Sequence, residues 1–120
     1  MTISEVITIV DDLMPNQYSA DQKIRWLSTL DGKIFHEVIQ THLGSRCFFQ
    51  GYETDDEDLL VKPPYAEDVY TRYLQARIAA ENNEIAKYDQ FMTLFNSAYG
   101  DFTSWYNRTH KPINPGRWRM

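Results

Sequence analysis

The sequence is poor in several things that would have narrowed its role at once. It has one cysteine, Cys47, so no disulfide can form within the chain, and a reducing compartment is expected. No apolar run approaches the ~18 residues a membrane span needs, and no charged-then-apolar leader opens the chain, so a cytosolic product is expected. There is no glycine-rich phosphate loop and no serine nucleophile elbow. Only three histidines occur. His36 and His42 fall on different helix faces, which disfavours a two-histidine metal site. Cys47 stands beside Phe48 and Phe49 with no local base, the setting of a small buried hydrophobe rather than a nucleophile. The acidic run Glu53–Asp58 lacks the alternating ligands, central glycine and terminal glutamate of a calcium loop. Neither catalysis, metal nor cofactor is therefore expected.

What the chain does have is aromatic weight and segregated charge. Phe, Tyr and Trp make up 14% of its 120 residues and gather in the second half. Such side chains carry large burial energies and are enriched at interfaces. The net charge of −5 sets the protein against nucleic acid and anionic membranes at long range, so neither is an expected partner. Glu53, Asp55, Asp56, Glu57 and Asp58 crowd one stretch, whereas Arg108, Lys111, Arg117 and Arg119 follow Asp101 with no acid among them. Asp55, Asp56 and Asp58 are thus expected to pair with Arg117 and Arg119 between neighbouring subunits or other proteins of the same assembly.

The apolar periodicity is helical almost throughout. Thr2 and Glu5 have capping-box spacing ahead of Ile3, Val6, Ile7, Val10 and Leu13, and Pro15 stops that helix near Met14. Ser19 with Gln22 opens a second helix whose apolar face is Ile24, Leu27, Leu30, Ile34 and Val38, ending at Leu43 before Gly44. Residues 45 to 64 break the rhythm. Cys47, Phe48, Phe49 and Tyr52 pair there as a short strand with Leu59, Leu60 and Val61, or the segment runs as an extended arm. From Glu67 to Thr109 the pattern is helical again; unbroken, it would span about 64 Å. Asn82-Asn83 offers a turn that divides it into helices of about 15 and 26 residues. The expected fold is all-α. It is a bundle of three to four helices with a long aromatic-rich C-terminal helix and a short extended arm or hairpin near residues 45–64. Residues 1–111 form the single helical domain and 112–120, with two prolines and a glycine, a tail.

On a helical wheel the apolar positions from Tyr88 to Tyr106 sweep roughly 160°, wider than the ~100° stripe of an ordinary surface helix. A helix buried on both flanks explains this, and so does one that packs inward along one edge and meets another subunit along the other. The expected contact residues are Phe91, Phe95, Tyr99, Phe102, Trp105 and Tyr106.

Three segments carry a resemblance. The first is Trp26-Leu27-Ser28-Thr29-Leu30-Asp31-Gly32-Lys33-Ile34. The second is Leu59-Leu60-Val61-Lys62-Pro63-Pro64-Tyr65 with Val69-Tyr70. The third comprises Glu84-Ile85, Tyr88, Phe95-Asn96-Ser97-Ala98-Tyr99, Asp101-Phe102 and Tyr106-Asn107-Arg108-Thr109-His110. Together, over most of residues 20 to 112, they resemble a family of small proteins encoded among the head and tail genes of long-tailed bacteriophages and prophages of low-GC Gram-positive bacteria. Those proteins are head–tail connector, or head-completion, components. The resemblance implies a helical, non-enzymatic subunit that joins a homo-oligomeric ring at the portal vertex. Its partners would be itself and the portal and tail proteins, with no small-molecule substrate, in the host cytoplasm during assembly and then in the virion. The alternative is a phage or prophage regulatory module, a small helical inhibitor that binds a host protein.

Overall fold

Thr2 opens the first helix through the expected reciprocal box. Its hydroxyl accepts from the Glu5 N–H at 3.3 Å, and the Glu5 carboxylate accepts from the Thr2 N–H at 2.7 Å. The computed structural model describes residues 1–39 and 51–109. Helix α1, Ile3–Leu13, buries Ile3, Val6 and Val10 and is capped by Met14 ahead of Pro15. Asn16 closes the following turn: its amide donates to Asp11 and to the Met14 carbonyl, both at 3.0 Å, and its oxygen accepts from the Tyr18 N–H.

The Ser19 hydroxyl accepts from the Gln22 N–H at 3.2 Å and starts α2, Ala20–Ile34. Its inner face is Ile24, Leu27, Leu30 and Ile34, with Asp31 and Lys23 buried beside them. A π-helical turn, Phe35–Ile39, continues it. Among the described residues nothing lies within 4 Å of a side chain placed at Gly32, so none of them requires a glycine there by close packing. The expected helix end at Leu43 and Gly44, and the strand candidate at Cys47–Phe49, lie outside the described residues.

Residues 51 to 64 run as an extended arm. Leu59, Leu60 and Val61 form no strand there; one antiparallel bridge joins Asp58 to Thr2, with the Leu59 N–H on the Met1 carbonyl at 3.0 Å. Leu59 and Val61 are fully buried, so the arm contributes to the core without a hairpin.

Helix α3, Ala66–Glu81, is the centre of the bundle. It packs against α1, α2 and α4, and Ala66, Val69, Tyr70, Leu74, Ala76, Ile78 and Ala79 are all buried. At its end Asn83 takes a left-handed backbone (φ 59°), a conformation Asn tolerates better than most residues. The Tyr18 hydroxyl donates to the Asn82 side chain at 2.6 Å. The long apolar pattern therefore does break at Asn82-Asn83, and α4, Ile85–Thr109, turns back along α3. Among the described residues there are four α-helices and no strand, an all-α bundle. No helix among them is long and apolar enough to cross a membrane.

Candidate interaction surface

Helix α4 is aromatic because it packs ring against ring. Phe95 and Phe102 lie mid-stripe and are its two buried residues. Tyr73 of α3 meets Phe95 at 5.5 Å between centroids, and Tyr99 stacks on Phe95 at 5.6 Å with the planes 9° apart. Further along, Phe102 meets Tyr106 at 5.7 Å, and Trp105 meets Tyr65 at 5.4 Å. Such pairs add about 0.5–1.5 kcal/mol beyond area burial. The Tyr99 hydroxyl donates to Glu37 at 3.0 Å, tying α4 to the end of α2. Burial first, and then this bond to a carboxylate, push the Tyr99 hydroxyl up to about 12.

The edges of the stripe differ from its middle. Tyr99, Trp105 and Tyr106 are half-buried against the core, and Phe91 is half-buried on α4. Leu94 is 46% exposed and Ile85 74%, apolar side chains that α3 leaves in solvent. Leu94 lies on the same side of α4 as Phe91, Ala98 and Trp105, so one flank keeps apolar surface that the described residues leave exposed.

The acidic turn is placed by α1. A helix start leaves four N–H groups without partners. Here the Ile3 N–H donates to the Glu57 carbonyl at 3.1 Å and the Ser4 N–H to the Asp55 carbonyl at 2.7 Å. The Glu57 carboxylate accepts from the N–H groups of Thr54 (2.9 Å) and Glu53 (2.7 Å), and those bonds hold its pKa below the usual carboxylate value. Asp56 accepts from the Thr54 hydroxyl. Negative charge at a helix N-terminus is favourable, so the crowding of acids has a local cause. The side chains of Asp55, Asp56 and Asp58 remain exposed around this capped end. Arg117 and Arg119, their expected partners, lie outside the described residues.

The strongest polar feature was not among the residues singled out from sequence. Asp31 is fully buried and accepts three hydrogen bonds. The Tyr70 hydroxyl donates at 2.6 Å, the Leu60 N–H at 3.1 Å, and the Tyr52 hydroxyl completes the set. The Tyr70 hydroxyl in turn accepts from the Val61 N–H at 2.8 Å, and the Ser28 hydroxyl accepts from the Tyr52 N–H at 2.9 Å. Gly51 leads into this contact at φ 93°, a left-handed value that glycine adopts without strain. Desolvation raises the pKa of Asp31 above the ordinary carboxylate value, against the opposing pull of its donors. The network fastens the arm to α2 and α3. The legible signal was the spacing Leu27–Asp31–Ile34, which sets an acid on the apolar face of α2.

Among the described residues no group of three or more His, Cys, Asp or Glu side chains could hold a metal ion. No family model, curated protein or solved structure matches the chain.

Proposed function

We propose that the chain is a structural subunit of a long-tailed phage particle, a head–tail connector that binds copies of itself and the portal and tail proteins. The observation that carries this reading is the flank of α4: a helix rich in aromatics is anchored by Phe95 and Phe102 yet leaves Leu94 exposed beside Phe91. Asp55, Asp56 and Asp58 add an exposed anionic rim to which cationic groups of a neighbour can dock. The first two segments that resemble the connector family also meet in space. Asp31 belongs to the first, Leu60, Val61 and Tyr70 to the second, and one buried network joins them. Shared segments that hold a fold together support a common architecture more than scattered surface matches do.

Light scattering on the purified chain over a wide concentration range, repeated with a portal protein, tests the reading. Growth to a closed-ring mass, alone or on the portal, is the expected result. A chain that stays monomeric in both conditions overturns it, and a monomer that instead captures a host enzyme points to the inhibitor reading.

A further inference from the structure

Three side chains fall on one line along the solvent side of α4. Lys87 and Asp101 stand seven residues before and seven after Leu94, close to two helical turns each way. About 10.5 Å of axis separates each from the leucine, and the line drifts only about 20° over each step. Leu94 is 46% exposed and the Lys87 side chain 57%, and Asp101 is exposed as well. Phe91 and Ala98, both half-buried, flank the leucine on the side toward the core. Asp101 forms no ion pair among the described residues. Lys87 meets Glu84, three residues back, at 3.1 Å, an exposed pair that contributes little and is readily exchanged.

A cation, a leucine and an anion at equal spacings are complementary to their own reversed copy. We propose that this face of α4 docks on the same face of a second copy, antiparallel, about a two-fold axis through Leu94. The axis sets leucine against leucine. It also sets each Lys87 against the other copy's Asp101, so one contact holds two identical ion pairs. A parallel pairing would put Lys87 on Lys87 and Asp101 on Asp101, and like charges at both ends oppose it. The seven-residue spacing is the seam that two helices keep in register when they cross at about 20° and about 8–10 Å apart. Phe91 then comes beside the second copy's Leu94 and adds apolar area. Asp68 and Arg72 of α3 line a hollow of about 180 Å³ beside this face and, being opposite in sign, leave its charge pattern balanced. The inference rests on the connector reading in taking this flank as a self-contact. An isologous contact closes on two copies, so a ring that uses it is assembled from pairs through a further surface.

Native mass spectrometry of the full chain in low salt tests it on wild type, Lys87→Asp, Asp101→Lys and an equimolar mixture of the two variants. Both sites are exposed, and an acid in the first turn of α4 suits a helix N-terminus, so urea midpoints should stay near wild type. Wild type should form pairs. Each variant alone meets like charges twice and should pair at least about tenfold more weakly. Mixed, the two should pair again as one copy of each, because both contacts then join opposite charges. Leu94→Glu added to both variants should abolish that mixed pair. A mixture that stays unpaired overturns the proposal, as does a mixed pair that survives Leu94→Glu, which shows general attraction between oppositely charged copies. Variants that each pair like wild type overturn it too, and so does wild type that stays monomeric. A ring with an odd number of copies overturns this inference and supports the connector reading. Pairs that never grow on a portal protein support this inference and count against that reading.

Discussion

The Tyr70 hydroxyl donates to Asp31 at 2.6 Å and is fully buried with it, on helices that are 39 positions apart in sequence. The same oxygen accepts from the Val61 N–H, so one atom connects α2, α3 and the arm. Buried polar groups are costly when unsatisfied and specific when satisfied, because few arrangements can meet every donor and acceptor at once.

Tyr70→Phe removes that oxygen and nothing else. It leaves the Val61 N–H and one lone-pair direction of Asp31 without a partner inside the core. The loss should be about 2–4 kcal/mol of folding stability, measured as a shift in the urea midpoint with unchanged slope. Tyr52→Phe should cost less, since Tyr52 is only part-buried.

Asp31 also sets a pH dependence. Burial raises its folded value above the ordinary 3.8, so the folded state holds the proton to higher pH than the unfolded chain. The stability this contributes is fully present below about 3.8 and is lost as pH rises through the folded value. Glu5 and Glu57 have lowered values and act in the opposite sense, so wild-type stability alone mixes the effects. The difference between wild type and Asp31→Asn isolates the buried group. That difference should shrink as pH rises from about 3 to 7, and a constant difference would show that Asp31 does not titrate above its unfolded value.

Much of this architecture is legible in the sequence, and the exceptions have physical causes. Local rules placed the Thr2–Glu5 box and the stop at Met14, because each involves residues within a turn of one another. The break at Asn82-Asn83 was ambiguous by periodicity, since the apolar register runs in phase across it. Asn83's left-handed backbone and the Tyr18–Asn82 bond, which spans 64 positions, accompany the break. The central place of α3 was less legible, because its apolar residues are spread round most of its circumference and show little one-sided pattern. Asp31 escaped notice because apolar periodicity does not score an acid. Its donors lie 21, 29 and 39 positions away, beyond any local motif. On α4 the wheel puts Phe95 and Phe102 in the middle of the sweep, and these are the two residues the structure buries there.

Lys23 and Asp11 form the ion pair between α2 and α1, at 2.6 Å, and their burial is unequal: the lysine side chain is 3% exposed and the aspartate 44%. Removing the exposed partner should therefore do more harm than replacing the buried one. Asp11→Ala strands a buried ammonium and the Asn16 amide and should cost about 1–3 kcal/mol. Lys23→Met keeps the aliphatic stem and should cost under about 1 kcal/mol. Thermal unfolding of both variants checks the order, and equal losses would mean that the pair contributes through packing alone.

The two buried rings of α4 and the partly exposed ones should separate folding from association. Phe95 and Phe102 each touch several other rings and are 7% and 2% exposed, so Phe→Ala at either position should cost about 3–5 kcal/mol. Phe91 is half-buried on the flank that also carries Leu94, and Phe91→Ala should cost about 1 kcal/mol or less in folding while weakening assembly. Trp105 sits between these cases. It is half-buried but stacks against Tyr65 and Phe102, so Trp105→Ala should lower both stability and association. The measurement is paired: urea unfolding of each variant at a concentration where the subunit is monomeric, and light scattering under assembling conditions. Leu94→Glu sharpens the comparison, because it places a charge on the apolar flank at a position that is 46% exposed and does not hold up the core. It should leave the midpoint within about 0.5 kcal/mol of wild type and abolish growth in mass. If Leu94→Glu and Phe91→Ala both assemble like wild type, this flank of α4 is not the contact surface.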